Sequence, residues 1–207
     1  YTFAGWNPAV PAEMPANDVT VTATWTADEV DVKVVVNYTD ASKDPQAQSF
    51  EAYMSGASDY AIEIVTEIPD PEAENTVYLL IDDILAWDTD FAVNHYVLDE
   101  AASDLTGKTV APDGSTVVNL YYKAVNYTAT FNANNGSYEA AFEDGEETKK
   151  VSLPYNSLIK ANAPADPVRD GYTFTGWQGL NDAMRLTGNR PFTAGWIANP
   201  YTLTWVF

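Results

Sequence analysis

One short peptide occurs twice in this chain and limits what the chain can fold into. Tyr1, Thr2, Phe3, Gly5 and Trp6 recur as Tyr172, Thr173, Phe174, Gly176 and Trp177. Laid over each other without gaps, residues 1–28 and 172–199 also match at Ala12/Ala183, Thr22/Thr193, Ala23/Ala194, Trp25/Trp196 and Ala27/Ala198. The spacing from tryptophan to tryptophan is therefore the same in both copies. Self-similarity of this kind is the mark of a repeat protein and has to be settled before the fold class. Physically, Tyr and Phe two residues apart share one face of a strand. The glycine permits a sharp change of direction, and the tryptophan that follows is large enough to cap a small core.

The rest of the chain is rich in strand signals. Aromatic residues make up 13%, which favours pleated, half-buried surfaces. Residues 19–25 alternate, with Val19, Val21, Ala23 and Trp25 on one face and threonines on the other. Before them, prolines 8, 11 and 15 predict an extended loop. Two strands cannot form a core alone, so residues 1–26 read as the tail of a module, or as a hairpin that borrows strands. Residues 30–38 are the strongest strand, with Val30, Val32, Val34 and Val36 on one face. Phe50, Tyr53 and Met54 predict a short helix or strand. Residues 60–65 and 77–81 predict further strands, and residues 116–123 close the second unit after an Asp113-Gly114 turn. In the third unit, 127–131 predicts a strand, Asn134-Asn135-Gly136 and Asp144-Gly145 predict turns, and 137–142 and 151–159 carry shorter elements. A last strand is expected at 191–196, with Pro191 suited only to its start or to an edge. Residues 200–207 repeat the pattern of 127–131 and read as the first strand of a following module.

The run 127–136, the connector and motif 165–177, and the closing Thr193-Ala194-Gly195-Trp196 resemble the internalin-type B-repeat, also called the Listeria–Bacteroides repeat. Residues 1–26, through the stretch 5–25, look like the end of another copy. The start of the second unit at 30–40 and its end at 105–123 are similar to mucin-binding-protein-type (MucBP-like) modules, from which 44–100 departs. The resemblance implies an α+β, strand-dominated fold of small ubiquitin-like, β-grasp modules in an elongated tandem array. It gives the division 1–26, the C-terminal part of a B-repeat-like module; 27–125, a MucBP-like module; 126–199, a B-repeat-like module; and 200–207. It implies a stalk, spacer or adhesive element of an extracellular, bacterial cell-surface protein, wall-anchored or secreted. Two other readings stand beside it. One is a subunit of an extracellular filament that assembles by strand exchange between copies, since the chain starts on a module tail and ends on a starting strand. The other is a glycan-binding module.

Charge and composition narrow the chemistry. The net charge is −20, which repels phosphate backbones, so no nucleic-acid partner is expected. No apolar run has the length of a transmembrane helix, and no membrane insertion is expected. There is no cysteine, which removes thiolate catalysis and fits either a cytosolic protein or a Gram-positive type of surface protein. No signal peptide is seen, and an opening inside a motif leaves room for signals and anchors outside the chain. No nucleophile elbow, phosphate loop or metalloprotease motif occurs, and the single histidine, His95, reads as structural. No enzyme and no cofactor are expected.

Three further candidates remain. Asp82, Asp83, Asp88 and Asp90 form the densest acidic patch and suggest a weak calcium site, without the glycine and distal Glu of an EF-hand loop. Lys33 and Lys123 lie in apolar strands; in surface proteins of this type a buried neutral lysine can form an isopeptide bond with Asn or Asp. Trp87, Tyr121, Tyr122 and Trp205 are candidates for stacking on sugar rings. Partners are then neighbouring modules or copies of the chain, with host or cell-surface glycans and proteins.

Overall fold

The computed structural model describes residues 1–13, 15–133 and 140–206. The expected Asn134-Asn135-Gly136 turn and the start of the 137–142 element lie outside the described residues. The chain is strand-dominated, with one short α-helix among the described residues. It divides into two compact units.

The first unit comprises Tyr1–Tyr38, Ser49–Val93 and Leu98–Tyr122. It opens with the hairpin of β1 (Thr2–Asn7) and β2 (Thr22–Thr26). A four-stranded sheet follows, built from β3 (Glu29–Thr39), β4 (Ala47–Ala57), β7 (Tyr96–Leu98) and β9 (Val117–Ala124), in the order β4-β3-β9-β7. β3 and β9 run parallel, with Lys33 opposite Val117 and Tyr38 opposite Tyr122. The alternation of valines dictates which side is buried: Val32, Val34 and Val36 of β3 and Val118 and Leu120 of β9 are fully buried. A second sheet has the order β6-β5-β8, from β5 (Ala61–Val65), β6 (Thr76–Leu80) and β8 (Lys108–Thr109). Ile62 and Ile64 of β5 and Leu79 of β6 are its buried members. Helix α1 (Ile81–Leu85) follows β6 at once and buries Ile84. Phe91 joins the aromatic residues of the unit, with ring centroids 4.9 Å from Tyr38, 5.4 Å from Tyr122 and 5.7 Å from Phe50.

The second unit comprises Thr39–Gln48, Asn94–Val97 and Lys123–Phe207. Its main sheet has the order β12-β10-β15-β14, from β10 (Asn126–Asn132), β12 (Thr148–Pro154), β14 (Tyr172–Trp177) and β15 (Arg190–Ala198). A small ladder joins β11 (Ala140–Ala141) to β13 (Val168–Arg169). β10 pairs antiparallel with β12 and parallel with β15, the latter placing Phe131 opposite Phe192. Phe131, Ile159, Leu186 and Ala194 are fully buried, and Phe142, Trp177 and Phe192 nearly so; together they form one apolar cluster.

Several sequence expectations change. Residues 47–57 form one long strand, where only a short element was expected. The run 77–81 ends a residue early because Ile81 begins α1. Pro191 sits inside β15, in a strand flanked by two others. It is tolerated there because the ladder with β14 spans only Ala194 to Ala198. At Pro191 the described residues occupy only the β10 side, so the strand is locally an edge. Residues 19–21 are in no strand, although they alternate cleanly, and residues 200–206 are in no strand either. Strand structure needs a hydrogen-bonded neighbour, and among the described residues neither segment has one.

Candidate functional site

The repeated motif is the best-defined structural device in the chain. In the second unit, β14 and β15 pair with Phe174 opposite Trp196, Gly176 opposite Gly195 and Trp177 opposite Ala194. A bulge between Phe174 and Gly176 shifts the register by one residue. Gly176 takes φ +111°, a conformation that L side chains rarely adopt. The bulge re-aims the next side chain, and Trp177 lies over Phe131 at 4.9 Å between centroids and beside Phe142 at 6.0 Å. Phe174 meets Trp177 edge-on at 5.2 Å and Trp196 at 5.6 Å. The Trp196 indole N–H donates to the Ala133 carbonyl at 3.1 Å. The tryptophan is thus a lid on a small core. A surface cleft of about 510 Å³ runs along the motif, lined by Phe174, Trp177 and Leu180 with Lys160 and Asp166 at its polar side.

The first hairpin reproduces this geometry. Phe3 faces Trp25, Gly5 faces Thr24 and Trp6 faces Ala23, with the same bulge between Phe3 and Gly5. Gly5 takes φ +142°. Phe3 meets Trp6 at 5.5 Å and Trp25 at 5.4 Å, again edge-on. One residue pair differs in a complementary way. A Cβ on Gly195 would come within 2.6 Å of the Thr175 hydroxyl. The first hairpin carries Ala4 and Thr24 at these positions, and the Thr24 hydroxyl donates to the Gly5 carbonyl at 3.0 Å. One bulky side chain fits at this crossing, and it comes from opposite strands in the two copies.

What differs is the cover. Trp177 is 8% exposed, whereas Phe3, Trp6 and Trp25 are 45%, 48% and 58% exposed. In the copy, β10 lies beside β15 and supplies Phe131 to the aromatic face. Beside β2, the described residues place only β1.

The other candidates separate. Asp82 and Asp83 are exposed in the first turn of α1, Asp90 is exposed, and Asp88 is half-buried and accepts the Asp90 N–H at 2.9 Å. Among the described residues no group of three or more His, Asp or Glu side chains is gathered so as to hold a metal ion. Lys33 has the opposite parity to Val32 and Val34 and points away from the buried side, half-exposed and ion-paired with Glu51. That pairing, foremost its hydrogen bond to Glu51, raises the lysine pKa, the opposite of the neutral, buried lysine that an isopeptide bond requires. Lys123 is exposed. His95 stacks on Tyr155 at 4.1 Å with rings 3° from parallel, and its Nδ1 hydrogen-bonds the Tyr127 hydroxyl at 2.8 Å. Trp87, Tyr121 and Trp205 are 53%, 41% and 73% exposed, but Tyr122 is buried against Phe91. Sequence reasoning missed Tyr53, which is exposed and lies 5.9 Å from Trp87. No helix among the described residues is long and apolar enough to cross a membrane.

Comparison with known proteins bears on this geometry. Residues 127–185 match the family model of the Listeria-Bacteroides repeat domain, so the resemblance read from the sequence holds for this stretch. No curated protein matches the chain. Among solved structures, the chain is similar to a type 2 repeat of the mucus binding protein MUB from Lactobacillus reuteri, at 13% identity and a TM-score of 0.25, over 81% of this chain and 100% of that one.

Proposed function

We propose that this chain is a stretch of the repeat region of a bacterial cell-surface protein, a non-enzymatic stalk or spacer that also makes weak adhesive contacts. The observation that supports this reading is one hairpin used twice, with the same register, bulge and aromatic triad, in a chain whose residues 127–185 match the Listeria-Bacteroides repeat. On this reading 1–26 is the C-terminal part of one repeat, 27–125 a MucBP-like β-grasp module, 126–199 a second repeat and 200–207 the first strand of another. Repeats of this kind gain stability from nearest-neighbour packing, which suits a mechanical spacer. The −20 charge keeps neighbouring copies apart on a crowded surface.

The exposed rings of Tyr53 and Trp87, inclined at 60°, offer an apolar platform on an acidic surface. Such a platform suits neutral sugars better than sialylated or sulfated ones, because like charges repel. Contacts of this size are weak singly and add through multivalency.

Beads bearing the full chain at graded density, passed in flow over surfaces carrying neutral or anionic glycans, test the reading. Retention on neutral glycans that rises steeply with density is expected. Equal passage of coated and bare beads at every density would remove the adhesive role.

A further inference from the structure

We propose that a cleft on the outer face of the second unit's main sheet binds one singly charged acidic sugar, carboxylated or sulfated, with Lys150 as the residue that pairs with its charge. The register of the sheet builds the site. β10 places Thr130 opposite Lys150 of β12 on one side and opposite Pro191 of β15 on the other. Phe131 and Lys149, one residue along each strand, are paired on the opposite face, where Phe131 is fully buried. Lys150, Thr130 and Pro191 therefore form a row across three strands on the solvent side. Thr128, two residues back, shares that face. These four residues, with Asn189 and Arg190, line a cleft of about 440 Å³, within the range of about 300–1,000 Å³ typical of small-ligand sites.

Three observations point to an anion. First, none of the described residues lining the cleft carries a carboxylate, in a chain with 30 acidic and 10 basic residues. Second, the two adjacent lysines are used differently. Lys149 is ion-paired with Asp144 and Glu146. Lys150 is exposed and forms no ion pair among the described residues. Third, the remaining groups are donors. The Asn189 carbonyl oxygen accepts the Thr128 N–H at 2.8 Å, which leaves the amide N–H groups of that side chain to donate elsewhere. The Thr128 and Thr130 hydroxyls can donate too. Arg190 brings a second cation to the lining, its guanidinium carbon 5.9 Å from the Phe192 ring centroid.

The same lining favours a sugar over a bare anion. Threonine hydroxyls both donate and accept, as the hydroxyls of a sugar ring do. The exposed Pro191 ring adds an apolar patch for the C–H face of that ring. The net charge of −20 limits the ligand to a single negative charge, because a polyanion is repelled by the whole surface. One charge held against Lys150 escapes most of that repulsion, since screening at physiological salt acts over about 8 Å. This cleft and the Tyr53–Trp87 platform thus select different sugars.

Amide chemical-shift titration of the isotope-labelled full chain tests the proposal, at constant ionic strength, with glucuronate, glucose 6-sulfate, glucose and acetate. At least one acidic sugar is expected to saturate in the millimolar range, with shifts centred on Thr128, Thr130, Lys150, Asn189 and Arg190. Glucose, which lacks the charge, and acetate, which lacks the hydroxyls and stands for the side chain of an acidic peptide, are each expected to bind about tenfold more weakly. Lys150→Gln should weaken the acidic sugar by about tenfold. Lys149→Gln changes the net charge equally and should alter binding by no more than about twofold. Unchanged amide positions away from the cleft show that each variant is folded. No saturation by either acidic sugar would overturn the proposal. Acetate binding as tightly as the acidic sugar, or equal losses in the two lysine variants, would overturn it too. Neither the stalk reading nor retention on neutral glycans depends on the result.

Discussion

Trp6 and Trp177 hold the same position in two hairpins of identical register, yet Trp6 is 48% exposed and Trp177 is 8% exposed. The local geometry of the motif is therefore encoded in the hairpin itself. The lid function depends on the strand beside it.

Replacing each tryptophan with alanine separates the two roles. Trp177→Ala removes the cover of Phe131 and Phe142 and should cost about 3–5 kcal/mol. Trp6→Ala removes a ring that is half in water and should cost no more than about 1 kcal/mol. Denaturant unfolding of the two variants measures both.

The crossing of Thr175 and Gly195 offers a double-mutant test. Gly195→Thr alone drives a side chain into the Thr175 hydroxyl and should cost about 2–3 kcal/mol as overpacking. Thr175→Ala supplies the alanine that the first hairpin has at Ala4, and in that background Gly195→Thr completes the Ala4–Thr24 arrangement, so its cost should fall by at least about half. Equal costs in both backgrounds would mean that the two hairpins do not share this crossing.

Acid stability is expected to depend on Asp104. Its carboxylate accepts the Asn119 N–H at 2.9 Å and lies 3.4 Å from Lys108. The Asn119 backbone bond, foremost, holds its pKa below the ordinary carboxylate value. A depressed folded pKa gives stability that is present above the unfolded pKa and is lost as pH falls through the folded one. Asp104→Asn should therefore lower stability by about 1 kcal/mol at neutral pH, a figure reduced for solvent screening. The difference from wild type should shrink as the pH drops below the carboxylate range. Thermal melts across the acid range measure it.

Lys33 carries the opposite sign. Its pairing with Glu51 raises its pKa, so its contribution is present below the unfolded lysine value and is lost as pH rises through the folded one. A charged ammonium is a poor nucleophile, and the intact mass should equal that of the unmodified sequence. A loss of ammonia or water from that mass would show an isopeptide bond.

Much of the fold was legible where one face is buried. The valines of β3 and the hairpin repeat could be read directly, because period-2 alternation and a matched Trp spacing survive in the sequence. β4 was harder: its inward positions include Gln48 and Gly56, which break the apolar alternation. Helix α1 spans little more than one turn, too short for a period to register. Tyr121 and Tyr122 are adjacent, and strand parity alone decides that Tyr122 is buried. Residues 19–21 show the limit from the other side. Their pattern is that of a strand, but a strand also needs a neighbour, and no local signal reports whether one is present.

Amide hydrogen exchange in dilute solution tests the central claim most directly, namely that one hairpin device is used twice, covered by β10 in the second unit and open in the first. The amides of residues 190–193 should be protected and those of 19–22 should exchange at close to free-peptide rates. Equal protection of the two segments would contradict the account.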